Sequence, residues 1–311
     1  MDNFQDKTII IGGGPAGSSA AIYLARFCHE VILFDVPEKI TGRTAVATNL
    51  KNFLGHAEVT PGQDFLRRIR EQIANLPIEC KEERVTTVRF SGDGFDVVTE
   101  EGNKYQARYV IVAVGVVDPI PPIDIPDEFF DHSVFHCPAC DWYQNRRKKI
   151  AVVGNNDRTI SEALIFKFMR PESAIAVILS DKASAFSAGM MSRAKKNGID
   201  TYVSPISQLQ GDEGYLEHII LEDGTRIQAE AIFTMLGHER LDRFLDEGGI
   251  EVERDDDGYI KVDFHSLESS HHNLFAVGPC NNGPDQAIIA GGEGALAAFE
   301  IHRRILTNAG L

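Results

Sequence analysis

Short apolar runs that end in glycine alternate with segments of helical periodicity along the chain. The run 7–11 ends at Gly12 and precedes "SSAAIYLARF", and the run 149–153 ends at Gly154 and precedes "ISEALIFKFM". A strand, a tight turn and a helix open a βαβ unit. The two copies are 142 residues apart, so the pattern predicts two similar modules.

A second repeat supports the same organisation. The segment "EEGNKYQARYVIVAVG" (100–115) aligns without gaps to "EDGTRIQAEAIFTMLG" (222–237), and each copy predicts a turn, a short alternating strand and a buried strand ending in glycine. The sequence therefore predicts an α/β fold with two Rossmann-like, three-layer ββα dinucleotide-binding domains, the second inserted in the first.

Segments rich in turn-forming residues indicate the domain boundaries. The segment 116–126 is rich in proline, and 237–245 stands at the corresponding end of the second module. We expect a first segment over 1–116, an inserted module over 117–243, and a closing segment over 244–311. The tail from about residue 259 either completes the first module or forms a third small domain.

The first glycine turn has the pattern of a dinucleotide site. Residues 12–17, Gly-Gly-Gly-Pro15-Ala16-Gly, satisfy G-x-G-x-x-G between a predicted strand and a predicted helix. Gly12 permits the tight turn, Gly14 admits a pyrophosphate, and Gly17 lets the helix approach the strand. Asp35 ends the next strand, 21 residues after Gly14, where an acid accepts hydrogen bonds from ribose hydroxyls.

The second turn departs from this pattern. Gly154 is kept, but Asn156 and Thr159 stand 142 residues after Gly14 and Gly17. The following strand leads into Asp181 and lacks the arginines that a 2′-phosphate prefers. NADPH is therefore disfavoured on two counts. NADH is excluded less strongly, since Asp181 is able to serve a ribose.

The composition, net charge and cysteine count exclude several classes of protein. The 311 residues are 43% hydrophobic and 25% charged, which suits a globular enzyme, and the formal net charge of −15 argues against nucleic acid as a partner. No run of 18 apolar residues and no signal peptide are visible, so we expect no membrane segment. Five cysteines with one close pair indicate a reducing cytoplasm rather than a secreted disulfide framework.

The close pair is Cys137 and Cys140, followed by Asp141. Zinc needs more ligands than this pair supplies, and there is no second C-x-x-C. A C-x-x-C at a helix start brings two sulfurs within bonding reach, and the helix N-terminus favours a thiolate. Asp141 is placed to move a proton. We interpret the pair as redox-active.

The order of "GGGPAG", "CPACD", a second nucleotide module and "NLFAVG…DQAIIAGGEGALAA" resembles the low-molecular-weight thioredoxin reductase family over essentially the whole chain. The resemblance implies FAD, a homodimer and a thioredoxin-like disulfide substrate. It implies an FAD-binding domain over 1–116 and 244–311 and an inserted NADPH-domain-like module carrying the cysteines.

The resemblance also implies roles by position. Cys140 would form a charge-transfer thiolate with the flavin, Cys137 would attack the substrate disulfide, and Asp141 would be general acid and base. The residues implied to bind FAD are Gly12, Gly14, Pro15, Ala16, Gly17 and Asp35 at its adenosine diphosphate end, and Asn52, Gly278, Gln286 and Ala287 near its ribityl chain and ring.

Three departures from the family pattern change the expected donor. The pyridine-nucleotide signature is altered, Pro279 replaces the usual aspartate after Gly278, and Asp285 replaces a basic residue, which would place a negative group near the flavin. The chain thus resembles members without NADPH, which take electrons from ferredoxin or hold a second FAD in the vacated pocket. Trp142 and Tyr143, beside the cysteine pair, suit either stacking on a flat ring system or ordinary packing at the domain interface.

Two other functions stay open. One is a dithiol oxidase that passes electrons to oxygen. The other is a non-enzymatic flavin redox sensor without turnover. The presence of Cys137, Cys140 and Asp141 together argues against it, since a sensor needs no proton shuttle.

Overall fold

The structure, a computed structural model, describes residues 6–36, 42–47, 49–56, 60–119, 125–130 and 132–311. The chain forms two compact units, the first comprising Met1–Val117 and Glu239–Leu311 and the second Asp118–His238. Residues 239–243, which the sequence assigned to the inserted module, belong to the first unit. The reason is packing, because Phe244 and Leu245 just after them lie in the core of that unit.

The strands in chain order are β1 Thr8–Ile11, β2 Val31–Phe34, β3 Glu79–Lys81, β4 Val85–Ser91, β5 Gly94–Thr99, β6 Lys104–Ala107, β7 Tyr109–Val112, β8 Val116–Val117, β9 Val134–Phe135, β10 Ile150–Gly154, β11 Ile175–Leu179, β12 Asp200–Tyr202, β13 Ile206–Asp212, β14 Tyr215–Leu221, β15 Arg226–Gln228, β16 Ala231–Met235, β17 Glu239–Arg240 and β18 Leu274–Ala276. The helices are α1 Pro15–Arg26, α2 Arg43–Val46, α3 Gly62–Ala74, α4 Pro138–Asn145, α5 Asp157–Met169, α6 Ala188–Lys196, α7 Arg243–Glu247 and α8 Ala287–Asn308.

The first unit is built on a five-stranded sheet in the order β18-β7-β1-β2-β3. Its strand pairs are parallel, and Ile9 of β1 stands opposite Ile32 on one side and Val110 on the other. Continuous apolar runs form such strands because helices cover the faces of a parallel sheet. Here α1 and α8 pack together on one face, and the antiparallel sheet β4-β5-β6 forms a further layer.

The second unit repeats this arrangement with a sheet in the order β12-β11-β10-β16-β9 and an antiparallel sheet β13-β14-β15. Strand β10 takes the place of β1, and β16 takes the place of β7. The predicted α/β fold with two Rossmann-like domains is confirmed.

The last position in each sheet is filled differently. In the first unit β18, from the tail, pairs with β7, so the tail completes that unit and the alternative of a third domain is wrong. In the second unit the place is taken by β9, which pairs with β16 and leads directly into the cysteine pair. Within the described ranges, none of the helices has the length and apolar character needed to cross a bilayer.

Candidate active site

The glycine turn of the first unit is tight at two glycines and open at the third. Gly12 has φ +110°, and an added Cβ there would lie 2.3 Å from the carbonyl oxygen of Ala113. At Gly17 it would lie 1.9 Å from the carbonyl oxygen of Gly12, so α1 packs directly on the turn. At Gly14 it would meet no atom within 4 Å. Each glycine therefore has the geometry expected of its place in the motif.

Asp35 lies against this turn. A Cβ on Gly13 would come within 2.4 Å of the Asp35 Oδ2 atom. Both residues line a cavity of about 600 Å³ in the first unit. Of the sequence-predicted cofactor residues, those lining the cavity are Gly12, Gly14, Pro15, Ala16, Asp35, Gln286 and Ala287. Gly17, Asn52 and Gly278 do not line it.

The N-terminus of α8 forms another part of the cavity wall. Gln286 is the N-cap residue of α8, but its side chain accepts no hydrogen bond from the first backbone N–H groups of that helix. Asn52 Nδ2 donates a 2.6 Å hydrogen bond to Gln286 Oε1, although Asn52 itself does not line the cavity. An open helix N-terminus favours negative charge at its end.

Asp285 and Arg43 form an ion pair in the same wall. Arg43 Nη1 lies 2.8 Å from Asp285 Oδ2. The sequence predicted a negative group near the flavin at this position, and Arg43, 242 residues away in the chain, supplies a counter-charge to it. The other oxygen, Oδ1, is buried and accepts no hydrogen bond from any described residue. A buried acceptor of this kind is satisfied by a ligand donor or by water.

These features fit FAD. The cavity volume lies in the range of about 300–1,000 Å³ found for cofactor sites. The turn and the start of α1 offer backbone N–H groups to a pyrophosphate, and Asp35 offers a carboxylate to a ribose. Pro279, at the position of the usual aspartate, also lines the cavity and has no hydrogen-bonding side chain.

Sequence reasoning missed Glu293, which supports the loop after β18. This residue of α8 is buried, and its Oε2 accepts hydrogen bonds from the Gly278 backbone N–H (2.6 Å) and from Asn281 Nδ2 (2.8 Å). Burial raises the pKa of the Glu293 carboxyl. One signal for Glu293 was present in the sequence. It is the single acid within "AGGEGALAA", a run of small residues typical of a closely packed helix, where a charged side chain is unexpected.

The equivalent turn of the second unit is closed by its own side chains. Asn156 is the N-cap of α5, and its Oδ1 accepts a 2.9 Å hydrogen bond from the Arg158 backbone N–H. Asp157 in the first turn carries a negative charge and accepts a 2.8 Å hydrogen bond from the Ser187 backbone N–H. The Asn156 side chain thus satisfies one backbone N–H at the helix start, and Asp157 adds a negative charge there.

Asp181, the counterpart of Asp35, is also engaged within its own loop. Its carboxylate accepts hydrogen bonds from the hydroxyls of Ser184 (2.9 Å) and Ser180 (3.0 Å) and from the Ala183 backbone N–H (2.9 Å). The hydrogen bond from Ser184 is the largest contribution that lowers the pKa of Asp181. Segment 180–187 has one cation, Lys182, and its Nζ lies 2.5 Å from Glu222 Oε2.

Cys137 and Cys140 are joined by a disulfide with an S–S distance of 2.03 Å at the start of α4. Cys137 is the N-cap residue, and its Sγ accepts a 3.1 Å hydrogen bond from the Cys140 backbone N–H. Asp141 follows in the first turn. The pair therefore stands where the sequence predicted it, at a helix N-terminus, and the helix is oriented to stabilise negative charge on Cys137.

The aromatic residues after the pair have neighbours in the same unit. Trp142 stacks on Phe166 of α5 at a centroid distance of 4.3 Å, and Tyr143 has the Arg146 guanidinium 3.7 Å from its ring centroid. Packing on Phe166 therefore accounts for one face of the Trp142 ring.

The remaining cysteines are separate from this pair. Cys280 is buried in the first unit and donates weakly to the carbonyl oxygens of Val112 and Val277, and burial raises the pKa of its thiol to about 12. Cys28 and Cys80 are free and exposed. In the part of the chain that the structure describes, no cluster of three or more His, Cys, Asp or Glu residues is arranged to hold a metal ion.

Comparison with known proteins gives the family. The chain is 30% identical over 98% of its length to the bifunctional thioredoxin reductase/thioredoxin of Mycobacterium leprae, 67% of which it covers. It is 29% identical to the thioredoxin reductase of Mycolicibacterium smegmatis, with 95% of each chain covered. The structure of the Giardia duodenalis thioredoxin reductase matches with a TM-score of 0.84 at 27% identity, over 97% of this chain and all of that one (100%). Residues 6–294 match the model of the pyridine nucleotide-disulphide oxidoreductase family, and the chain belongs to that family.

Proposed function

We propose that this protein is an FAD-dependent disulfide oxidoreductase of thioredoxin reductase type that reduces a thioredoxin-like protein disulfide with electrons from a donor other than NADPH. The observation that carries the proposal is the Cys137–Cys140 disulfide at the start of α4, with the Cys140 N–H directed to the Cys137 sulfur. The similarity to thioredoxin reductases supports the class of substrate.

The exchange itself needs two thiols and one proton carrier. In the reduced protein, the Cys137 thiolate attacks one sulfur of the partner disulfide and expels the other as a thiolate. Cys140 then attacks the Cys137 sulfur, re-forming the internal disulfide and releasing the partner as a dithiol. Two electrons and two protons pass from the protein to the partner.

Contacts at the start of α4 distinguish the roles of the two sulfurs. The hydrogen bond from the Cys140 N–H stabilises negative charge on Cys137, so we assign Cys137 as the attacking thiolate and Cys140 as the resolving one, on the flavin side. Asp141 is assigned to accept the Cys140 proton and to protonate the departing thiolate.

FAD would be held in the first unit, and it supplies reversible two-electron chemistry that restores the dithiol. Gly12, Gly14 and the start of α1 would bind its pyrophosphate, and Asp35 its ribose. Gln286 and Ala287 would bring the α8 N-terminus to its other end, supported by Asn52 and by the Gly278 loop.

The capped turn of the second unit supports a donor other than NADPH. Asn156 satisfies an N–H group that the pyrophosphate would need, Asp157 repels phosphate, and Asp181 is already hydrogen-bonded by its own loop. Asn156 and Asp157 likewise oppose the pyrophosphate of a second FAD, and the engaged Asp181 is not free to accept from its ribose. We therefore infer one FAD per chain and an external reductant, for which reduced ferredoxin is the first candidate.

A donor experiment tests this part. The purified protein is mixed under nitrogen with NADPH, NADH or reduced ferredoxin while flavin absorbance is followed, and the flavin-to-protein ratio is measured. We expect a ratio near one and rapid reduction by ferredoxin alone. Reduction by NADPH at about ten per second, an ordinary enzymatic rate, would overturn the donor assignment. A ratio near two would overturn the inference of a single flavin.

A second experiment tests the thiol chemistry. Protein reduced with dithionite is mixed with an oxidised thioredoxin, and the thioredoxin thiols formed are counted. Cys137→Ser should abolish reduction while retaining FAD. Cys140→Ser should also retain FAD but stop at the mixed disulfide, which releases one thioredoxin thiol and no dithiol. If reduced thioredoxin and air instead yield peroxide with the wild-type protein, the protein is a dithiol oxidase. If no dithiol or disulfide protein turns over, it is a redox sensor.

The homodimer and the cytoplasmic location remain predictions. An exposed aromatic pair, Tyr23 of α1 and Phe299 of α8, gives the first unit an apolar surface that a second copy would cover. Light scattering of the FAD-loaded protein measures the mass directly, and a mass of one chain would exclude the dimer.

A further inference from the structure

We propose that Glu293 binds a proton when the flavin in the first unit is reduced and releases it when the flavin is oxidised. The proposed exchange reaction assigns no role to this carboxyl group. The inference rests on one part of the proposed function, the binding of FAD in the cavity of the first unit. It adds to that function a residue that couples the reduction potential of the flavin to pH.

Glu293 lies next to the cofactor cavity without lining it. Ala290 of α8 lines the cavity, and Glu293 follows three residues later, on the same side of the helix. Glu293 is 7% exposed. Its Oε2 accepts a hydrogen bond from the Gly278 backbone N–H, and a Cβ on Gly278 would lie 3.4 Å from the Ala290 Cβ. The carboxyl group therefore belongs to the layer that supports the cavity wall.

Glu293 has neutral hydrogen-bond donors and no cation as partners among the described residues. Both donors, the Gly278 N–H and Asn281 Nδ2, bond to Oε2, and no described residue donates a hydrogen bond to Oε1. Burial without a counter-charge favours the protonated form of a carboxyl group. Burial accordingly raises the pKa of Glu293, and the Asp285 carboxylate raises it further, against the opposing effect of the two hydrogen bonds. Oε1 is thus the open position for a proton.

The other groups that face Glu293 supply no positive charge to hold it ionised. Strand β18 contains no titratable residue, and α1 contacts the same turn of α8 with two alanines. In the loop after β18, Cys280 is neutral, because burial raises the pKa of its thiol to about 12. Asp285 carries a negative charge, and Arg43 pairs with that charge rather than with Glu293.

Reduction of the flavin adds negative charge to the cavity. Two electrons enter from the external reductant with one proton, and the reduced ring then carries a single negative charge. Charges close to a protein interior interact more strongly than charges in water, so the neighbouring carboxylate becomes less stable. Glu293 then binds a proton from solvent and becomes a carboxylic acid. When the two electrons pass to the Cys137–Cys140 disulfide, the charge leaves the ring and Glu293 returns its proton to solvent.

The test is the pH dependence of the two-electron midpoint potential of the FAD-loaded protein. Spectroelectrochemistry measures it between about pH 5 and pH 9, a range that spans raised carboxyl pKa values. Glu293→Gln keeps an oxygen for the Gly278 N–H and removes the charge. Its potential should match wild type at the acid end, where Glu293 is protonated, and exceed it increasingly as the pH rises. The difference expected at the alkaline end is about tenfold in the reduction equilibrium constant, or about 30 mV for two electrons.

Glu300→Gln provides the matched control on the same helix. Glu300 is paired with Arg303 and Arg304, and its pKa is lowered, first by the hydrogen bond from Arg303. It therefore stays ionised over the tested range, and its removal should leave the pH dependence unchanged. A Glu293→Gln curve that runs parallel to wild type at every pH, or that coincides with it at alkaline pH, would overturn the proposal and leave Glu293 with a structural role.

A second measurement does not depend on how well Glu293→Gln folds. The infrared difference spectrum of the wild-type protein, reduced minus oxidised, should gain the C=O stretch of a protonated carboxyl group, which shifts in D2O. The band should persist in Asp285→Asn, because the proton is assigned to Glu293 and not to its neighbour. Absence of the band in wild type, or its loss in Asp285→Asn, would contradict the proposal.

Failure of the proposed function has a different signature. A protein that binds no FAD would overturn the proposed function and this inference together. A protein that binds FAD but does not reduce thioredoxin would overturn the choice of substrate alone. The potentials are measured without thioredoxin, so they would still decide the role of Glu293.

Discussion

Gly12 and Gly154 occupy the same place in the two units, at the end of the central strand and before a helix. After Gly12 the turn is open at Gly14, and Asp35 faces the cavity. After Gly154 the turn is closed, because Asn156 caps the helix and Asp181 is hydrogen-bonded within its own loop. One scaffold thus offers an open nucleotide turn in the first unit and a self-satisfied one in the second.

Under the proposed function, a strand, a turn and a helix are not sufficient for nucleotide binding. Helix N-termini leave N–H groups unsatisfied, and either a ligand or a side chain pairs with them. In the second unit the Asn156 side chain pairs with one of these groups, the Arg158 backbone N–H. Gly14 has no side chain, so the first turn leaves its N–H groups to a ligand.

The largest expected effect is on FAD affinity. It comes from replacing Gly14 of the first turn with asparagine, the residue at the equivalent position of the second turn. Gly14→Asn places a side chain where the structure leaves space, so folding should be kept. Affinity for FAD should fall at least about 100-fold, close to 3 kcal/mol. Flavin content after purification and circular dichroism measure the two properties.

The matched control for that change is Gly189→Asn, at an exposed glycine near the start of α6 whose added Cβ also meets no atom within 4 Å. It should retain FAD fully. A Gly14→Asn protein with full flavin content would remove the basis of the comparison.

The reverse exchange should have a smaller effect. Asn156→Gly, Thr159→Ala and Asp181→Arg together open the second turn and add a cation for a 2′-phosphate. NADPH binding should strengthen by about tenfold, or about 1.4 kcal/mol, and calorimetric titration measures it. Asn156→Gly alone should leave binding unchanged, since Asp157 and Asp181 still repel phosphate. If the triple variant binds no better than wild type, other residues of the second unit exclude NADPH.

The ion pair in the first cavity provides a third test. Asp285→Asn leaves Arg43 unbalanced, which favours the electron-rich reduced flavin and raises its midpoint potential. Arg43→Gln should lower it, and the double variant should return near wild type. Shifts of about 30 mV, corresponding to about 1.4 kcal/mol for two electrons, are within reach of spectroelectrochemistry.

Arg67→Gln, which breaks the exposed Arg67–Glu71 pair of α3, should leave the potential unchanged. Shifts of the same sign in Asp285→Asn and Arg43→Gln would show that the two residues do not act on the flavin as opposing charges.

The smallest expected effect concerns pH and the loop of the second unit. The pKa of Asp181 is lowered in the folded protein, and the largest lowering cause is the Ser184 hydrogen bond. The ionised carboxylate therefore stabilises the fold at pH values above the ordinary carboxyl pKa. This stabilisation is lost as the pH falls through the lowered pKa of the folded protein. Asp181→Asn should lower the Tm by about 1 °C at pH 7, and the difference should shrink as the pH falls below the ordinary carboxyl range and vanish below the lowered pKa of Asp181. Asp200→Asn, on exposed β12, is the control. A difference that persists at acid pH would contradict this sign.

Much of this fold follows from the sequence because its signals are local. The strand–glycine–helix repeats predict both sheets, and the positions of Gly12, Gly14, Gly17 and Asp35 follow from their spacing. The cysteine pair was likewise placed at a helix start by its own segment.

What the sequence did not predict depends on side chains that meet across long separations. The Arg43–Asp285 pair joins α2 to the residue before α8, and Glu293 reaches back to the Gly278 backbone. Asn156 was identified as a departure, but its role as a cap depends on the rotamer that the folded helix end selects. Periodicity and spacing carry no information on such contacts.

The most direct test of the central claim uses Trp142, the single tryptophan of the chain, which lies in the second unit. Reduced nicotinamide bound nearby quenches indole fluorescence by energy transfer. We predict no saturable quenching of the FAD-loaded protein up to about 1 mM NADPH, the upper end of ordinary enzyme affinities. Saturable quenching with a Kd of about 10 µM, well inside that range, would show that the second unit binds NADPH and would contradict the account.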